Sequence, residues 1–169
     1  MIGASAYGAS SGNTLTSTVV HVPVGLFDID ARYHHKGFSA RGEIALLLIG
    51  KTEALNQALL SGDAEQQGAV PVSSRSQGAY AEVAYDVMRV LAPTSDQALD
   101  VFARFDYANT QAAVLGGLTP LPEFRRKSQM IGLVYRPIAQ VALKFDYRRH
   151  WLGSGESFNE FASAITWLF

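Results

Sequence analysis

The sequence predicts an all-β fold: an antiparallel up-and-down transmembrane β-barrel with about eight strands present, in a single partial domain over residues 1–169. Three observations predict it. Apolar and polar residues alternate with period two along most of the chain, aromatic residues occupy the apolar face near predicted strand ends, and the chain stops on an alternating strand that ends in an aromatic residue. No apolar run approaches the 18 or so residues that a membrane helix requires.

The alternation predicts eight strands, most of them near the 9–11 residues with which a tilted strand crosses a bilayer. In one of them, Val101, Phe105 and Tyr107 share a face, and Arg104 and Asp106 share the opposite face. A soluble antiparallel barrel or sandwich alternates in the same way, so alternation alone leaves that class open. The predicted strands are Ile2–Ala9, Gly25–His34, Phe38–Ile49, Gly78–Met88, Leu99–Ala108, Gln129–Arg136, Gln140–Arg148 and Phe158–Phe169.

Two features favour the membrane class. Aromatic girdles mark the lipid–water boundary of outer-membrane barrels, and such barrels have short turns at one end and long loops at the other. The connections here are predicted to alternate between short and long, and the longest is the outer loop 51–77. This loop is predicted to contain a short helix over Glu53–Leu60. The helix either folds into the barrel and narrows it or stays at the surface. The predicted girdle residues are Tyr33, Tyr85, Tyr107, Tyr135, Tyr147 and Trp167.

The C-terminus resembles the signal that the barrel-assembly machinery of Gram-negative outer membranes recognises. Phe161, Ile165, Trp167 and Phe169 share one face, and Trp167 and Phe169 are the predicted assembly signal. We therefore expect a multi-pass protein of the cell outer membrane. Because Met1–Ala4 does not begin a signal peptide, we also expect the chain to be part of a longer protein.

Several stretches resemble the porin family that includes the phosphate-selective porins. They are Gly78–Asp86, Phe102–Gln111, Gly132–Pro137, Val141–Tyr147, the tripeptide Ala54–Asn56 and the final Phe169. The resemblance implies a 16–18-stranded barrel of which this chain is the C-terminal half. It implies an outer-membrane porin, a passive diffusion channel for small polar or ionic solutes such as phosphate or other anions, with a homotrimer as one candidate assembly.

If the aromatic face meets lipid, the opposite face lines the pore. The predicted pore-lining residues are Arg32, Arg41, Glu43, Glu82, Arg104, Asp106, Lys144, Asp146 and Arg148. Over the whole inward face, eight predicted acids outnumber six predicted bases, whereas an anion-selective pore uses rings of basic residues. The phosphate chemistry of the family is therefore not carried over, and these charges are interpreted mainly as cross-strand pairs.

Other functions find little support. The chain has no cysteine, and its four histidines show no metal-ligand spacing. A hydrolase would need a histidine, a serine and an acid close together, and the one candidate cluster is His150 with Ser154, Ser157 and Glu156. These are predicted loop residues, which are usually solvated, so neither a catalytic role nor a cofactor is predicted. The basic clusters Arg125–Lys127 and Arg148–His150 either meet the phosphates of lipopolysaccharide or are simply solvated. Nucleic-acid binding is not predicted, because exposed aromatic residues are not interleaved with these clusters. The alternative function is a closed eight-stranded barrel that acts as a structural anchor or adhesin.

Overall fold

The computed structural model describes residues 1–13, 20–61 and 70–167. Eight strands form one sheet in the order of the sequence, and each strand is antiparallel to the next. The strands are β1 (Ile2–Asn13), β2 (Val20–His35), β3 (Phe38–Ile49), β4 (Ser73–Asp86), β5 (Ala98–Val114), β6 (Arg125–Ile138), β7 (Val141–Leu152) and β8 (Ser157–Trp167). Two helices, α1 (Thr52–Ser61) and α2 (Met88–Leu91), and a 3-10 turn over Pro122–Phe124 lie between strands.

The all-β class and the eight strands are confirmed, but most strands are longer than predicted. The extra length of β4, β5, β6 and β7 lies at the ends of these strands that meet the connections 50–72, 115–124 and 153–156. There both faces carry polar residues, as in Arg125–Ser128, so the alternation that marks a strand in sequence is lost. Main-chain pairing continues without it, because Asn109 pairs with Arg125 and Lys127 pairs with Trp151.

The two ends of the sheet are named after their connections. The turn end has the tight connections 36–37 and 139–140, and Lys36 and Gly37 both have positive φ there. The loop end has the connections 50–72 and 115–124. The predicted alternation of short and long connections is wrong at residues 153–156, which form a short turn at the loop end where a longer connection, Arg149–Ser157, was predicted. At the turn end, residues 87–97 form a longer connection with α2, close to the ten residues predicted there.

The register divides the sheet into an apolar face and a polar face. Twenty large hydrophobic side chains are exposed on strand residues whose pairing is described. Seventeen of them lie on the apolar face, and three, Tyr7, Leu26 and Phe158, lie on the polar face. The seventeen are Ile2, Phe27, Ile29, Tyr33, Phe38, Ile44, Leu48, Val83, Tyr85, Val101, Phe105, Ile131, Leu133, Phe145, Phe161, Ile165 and Trp167.

The predicted girdle residues all lie on the apolar face. Tyr33, Tyr85, Tyr135 and Trp167 lie near the turn end, as expected. Tyr107 and Tyr147 are not at strand ends, because β5 and β7 continue beyond them. They lie where the apolar band stops, and the next residues on this face are polar.

The sheet is open. Within the described part of the chain β1 pairs only with β2, and β8 pairs only with β7, so one edge of each remains without a strand partner. The eight strands therefore do not close into a barrel. The last strand ends at Trp167, and Phe169 lies outside the described residues.

The tightest packing is on the polar face. Phe102 and Met130 are buried there, and the Phe102 ring lies against the main chain at Gly132 on the neighbouring strand β6. A Cβ atom at position 132 would lie 2.5 Å from the carbonyl oxygen of Phe145 and 2.7 Å from Cε1 of Phe102. Glycine is therefore required at this position by close approach of its neighbours.

We expect Gly132→Val to destabilise the sheet by about 1–3 kcal/mol, because the added side chain must displace the Phe102 ring or the main chain of β7. Urea unfolding of the reconstituted protein measures this change. Gly8→Val is the matched control, since a Cβ atom at Gly8 in β1 has no neighbour within 4 Å. Equal midpoints for the two variants would contradict the packing described here.

The predicted helix in loop 51–77 is confirmed as α1. Thr52, Leu55 and Asn56 are buried, whereas Ala54 is exposed. The loop ends earlier than predicted, because β4 already begins at Ser73. In the described part of the chain, neither helix is long and apolar enough to cross a membrane.

Asn56 holds α1 to the loop end. Its side chain is fully buried, Nδ2 donates to the carbonyl oxygens of Val72 (3.0 Å) and Leu115 (2.8 Å), and Oδ1 accepts from the Val72 amide (2.8 Å). Gln111, also buried, donates to the Pro71 carbonyl oxygen and accepts from the Leu121 amide, both at 2.8 Å. Two buried amide side chains thus join the connections 50–72 and 115–124.

Candidate functional site

The candidate site is the polar face, where the register brings all the predicted inward charges together. All nine predicted pore-lining residues lie there: Arg32, Arg41, Glu43, Glu82, Arg104, Asp106, Lys144, Asp146 and Arg148. The other charges predicted to face inward, Asp28, Asp30, Asp86, Asp100 and Arg136, lie on the same face. They converge because side chains two residues apart point to the same side of a strand.

The centre of the face is a charge network that crosses four strands. Arg41 on β3 donates two hydrogen bonds to the Glu82 carboxylate on β4, from Nε to Oε1 at 2.9 Å and from Nη2 to Oε2 at 3.0 Å. Arg104 on β5 lies 3.6 Å from Glu82 and donates to Asp106 at 2.6 and 2.8 Å. Ser128 on β6 then donates to Asp106 at 3.3 Å. Glu82 therefore joins two guanidinium groups.

The remaining basic residues of the predicted set are paired as well. Arg32 lies 3.4 Å from Asp30, Arg136 pairs with Asp100, and Lys144 lies 3.2 Å from Asp146. Arg148 lies 3.8 Å from Glu160 on β8. All six bases that were predicted to face inward thus have a carboxylate partner. Such pairs fix side-chain positions and, being partly exposed, contribute little to stability individually.

An open hollow of about 470 Å³ lies on this face toward the turn end. Polar atoms and apolar atoms contribute similarly to its walls, and residues from β2 to β7 line it. They include Arg32, Ser39, Arg41, Glu82, Asp100, Phe102, Arg136 and Lys144. No residue of α1 is among the described residues that line it, so the helix does not reach this part of the polar face.

Carboxylates outnumber basic side chains among the charges that were predicted to face inward. Glu43 makes no ion pair with any described residue, and Asp28 accepts a hydrogen bond from Ser5. The carboxylates thus exceed the bases, and the predicted bases are already neutralised by partners.

Sequence reasoning missed Glu160 and Met130 as members of this face. Glu160 was not recognised because it lies in a strand with few other charges. Alternation places Tyr80 and Phe102 on this face, and the Tyr80 ring lies under the Arg104 guanidinium, with its centre 4.0 Å from the guanidinium carbon. Phe102 and Met130 are apolar residues on a polar face, so alternation gives no signal for their burial. Lys144 Nζ lies 5.2 Å from the centre of the Phe102 ring, which shows that the aromatic residue supports the charged surface.

Two residues of the candidate hydrolase cluster, His150 and Ser157, lie on opposite faces of the sheet. His150 Nε2 lies 3.0 Å from Glu160 Oε2, and its ring stacks on Phe158 with the ring centres 4.4 Å apart. Ser157 pairs with Trp151 on the opposite face of the sheet. Over residues 1–13, 20–61 and 70–167 no group of three or more His, Asp or Glu side chains is placed to hold a metal ion.

Comparison with known proteins gives one distant relative. The chain is 27% identical over 144 residues to an uncharacterized protein of Aquifex aeolicus (strain VF5), a match that covers 85% of this chain and 33% of the relative. The chain thus spans about a third of the length of the curated relative it matches. No family model matches the sequence, and no solved structure matches it.

Proposed function

We propose that this chain forms part of a large outer-membrane β-barrel, and that its polar face lines a passive diffusion channel for small polar or ionic solutes. The observation that carries the proposal is the inverted arrangement of the sheet. Its large hydrophobic side chains are exposed on one continuous face, while its charged side chains pair on the other. In water, an apolar surface of this extent marks a lipid or protein contact.

The height of the apolar band fits a bilayer. On β5 it runs from Leu99 to Tyr107, about 27 Å at about 3.4 Å per residue. A strand tilt of about 40° reduces this to about 21 Å along the membrane normal, close to the band of about 25 Å in outer-membrane barrels. Polar residues follow on the same face of the same strands, such as Asn109 after Tyr107 and Arg149 after Tyr147.

A channel needs more strands than this chain provides. Eight strands that close on themselves enclose only side chains, whereas 16–18 strands leave an aqueous channel. The open edges of β1 and β8 offer main-chain donors and acceptors to further strands. The greater length of the Aquifex aeolicus relative also supports a larger barrel. The closed eight-stranded anchor would require β1 to pair with β8, and this pairing is absent among the described strands.

The resemblance to phosphate-selective porins supports the class of protein, but the polar face does not favour phosphate as its solute. A phosphate site needs unpaired Arg or Lys side chains, whereas Arg41, Arg104 and Lys144 are engaged by carboxylates. We propose a weakly selective channel. In this proposal Trp167 contributes to the girdle at the turn end and to recognition by the assembly machinery.

Planar-bilayer recording of the full-length protein that contains this chain tests the proposal. We expect stepwise ion conductance that persists without an energy source and depends weakly on the sign of the ion. A protein that inserts as a heat-modifiable barrel but conducts no ions would refute the channel. A protein that stays in water as a stable species would refute the membrane assignment.

We further expect Glu82→Gln to shift the reversal potential toward anions, because it removes one negative charge and leaves Arg41 and Arg104 with fewer acceptors beside the hollow. Glu43→Gln is the matched control, since it removes the same charge from the same face but breaks no ion pair among the described residues. The Glu82 variant should shift selectivity more. Equal shifts would mean that only net charge matters.

A further inference from the structure

A second group of basic residues lies on the apolar face, beyond the apolar band at the loop end. Arg125 and Lys127 on β6 and Arg149 on β7 are exposed, and the register places them on the same side as Phe105 and Tyr147. They differ from the predicted bases of the polar face in one respect. Within the described part of the chain, none of the three makes an ion pair.

These cations surround an open hollow of about 520 Å³. It is lined by Phe105, Arg125, Lys127, Gln129, Trp151, Leu152 and Gly153. Arg149 lies beside it, with its guanidinium carbon 5.4 Å from the centre of the Trp151 ring. Arg125 is fixed at the rim of the hollow, because its carbonyl oxygen accepts a hydrogen bond of 2.7 Å from the Gly153 amide.

A second, apolar hollow of about 570 Å³ lies on the same face, next to the first hollow and nearer the turn end of the sheet. Both hollows use β6 and β7: Lys127 and Gln129 line the first, and Ile131 and Leu133 line the second. The floor of the second includes Ser163, the small residue that interrupts the apolar face of β8 opposite Phe145. A cationic hollow therefore continues into an apolar one along the strand direction.

We propose that these two hollows together bind one phosphate-bearing lipid of the outer leaflet. Arg125, Lys127 and Arg149 contact the phosphorylated headgroup, and an acyl chain lies over Ile131 and Leu133 beside Ser163. The charges are complementary, since three unpaired cations face a dianionic group at the level where headgroups lie. The inference rests on the proposed membrane function but is independent of channel activity and of the solute.

The test uses the assembled full-length protein in phosphatidylcholine nanodiscs that contain diphosphoryl lipid A, with bound lipid counted by native mass spectrometry after extraction. We expect the triple variant Arg125→Gln, Lys127→Gln, Arg149→Gln to bind lipid A roughly 100-fold more weakly, at about fivefold per cation. Arg126→Gln is the matched control, because Arg126 is adjacent in sequence but lies on the polar face. It should bind lipid A like the wild type.

Three further arms separate the possible results. Ser163→Trp fills the apolar hollow and should weaken lipid A binding while leaving the cations unchanged. Dephosphorylated lipid A should bind wild type as weakly as lipid A binds the triple variant. Inorganic phosphate at millimolar concentration should compete poorly, since it gains nothing from the apolar hollow, and effective competition would instead identify a site for free anions and overturn the proposal.

The result also separates this inference from the function on which it rests. If the protein inserts and conducts ions but the triple variant binds lipid A as tightly as the wild type, the lipid site is wrong and the channel stands. If the protein does not insert into bilayers, both fail. Heat-modifiability on gels, measured for every variant, shows whether each has assembled.

Discussion

Phe145→Arg is expected to destabilise the assembled protein by about 2–4 kcal/mol, because it places a charge within the apolar band, which the proposed membrane barrel exposes to hydrocarbon. Phe145 is 51% exposed and lies between Leu133 and Ser163 in the register. It is near the middle of the band on β7, with Val141 toward the turn end and the charged Arg149 toward the loop end. Urea titration of the protein folded into lipid vesicles measures the change.

The adjacent residue provides the control. Lys144→Gln changes a side chain on the polar face, next to Asp146, and should cost about 1 kcal/mol or less because the pair is partly exposed. A water-soluble sheet covered by a partner would also suffer from Phe145→Arg, so stability alone does not identify lipid as the neighbour.

Cysteine labelling makes that identification. The sequence contains no cysteine, so a single one introduced at position 144 or 145 reacts without background. In intact membranes, position 144 should react with water-soluble thiol reagents and position 145 only with lipid-soluble ones. The reverse pattern would show that the polar face meets the membrane, and would overturn the face assignment on which the proposed function depends.

Asn56→Leu is expected to release α1 from the loop end at a cost of about 2–4 kcal/mol. The substitution removes three hydrogen bonds and leaves the Val72 amide and two carbonyl oxygens without partners in a buried site. The shape of leucine is close to that of asparagine, so packing changes little. Hydrogen exchange of the α1 amides measures the local opening.

Gln57→Leu is the control for this variant, because Gln57 is the next residue on the same helix and is exposed. Its exchange should match that of the wild type. Faster exchange confined to α1 and the adjoining connection would agree with a local anchor, whereas loss of the heat-modifiable form would mean that Asn56 supports the whole sheet.

The sequence predicted the strands and their faces well wherever one side of a strand was apolar. Leu99–Tyr107 shows why. Apolar and polar residues alternate there without a break, and a shift of one residue in strand pairing would move every apolar side chain to the charged face, so the pattern specifies the register. The strand extensions around Arg125 and Asn109 were not predicted, because polar residues on both faces leave no two-residue alternation of apolar and polar side chains. For the same reason, the sequence predicts a longer connection where the structure has the turn 153–156.

The candidate site was predicted as a set of residues but not as a network. Alternation placed Arg41, Glu82 and Arg104 on one face, yet their pairing depends on cross-strand register. The strands concerned are joined by the connection 50–72 and by the connection with α2. Asn56 was quoted only as part of a resemblance. A polar residue within a short helix gives no sign in sequence that it is buried and fully hydrogen-bonded.

The sheet order has a consequence for assembly kinetics. Among the described strands each pairs with its neighbours in sequence alone, so successive hairpins are sufficient to build the sheet, and the connection 50–72 is the longest of those between the strands. At every stage two unpaired edges remain, and in the complete sheet they are β1 and β8. Until other strands cover them, those edges can template intermolecular pairing, so the time before they are covered is when this chain would most need a chaperone.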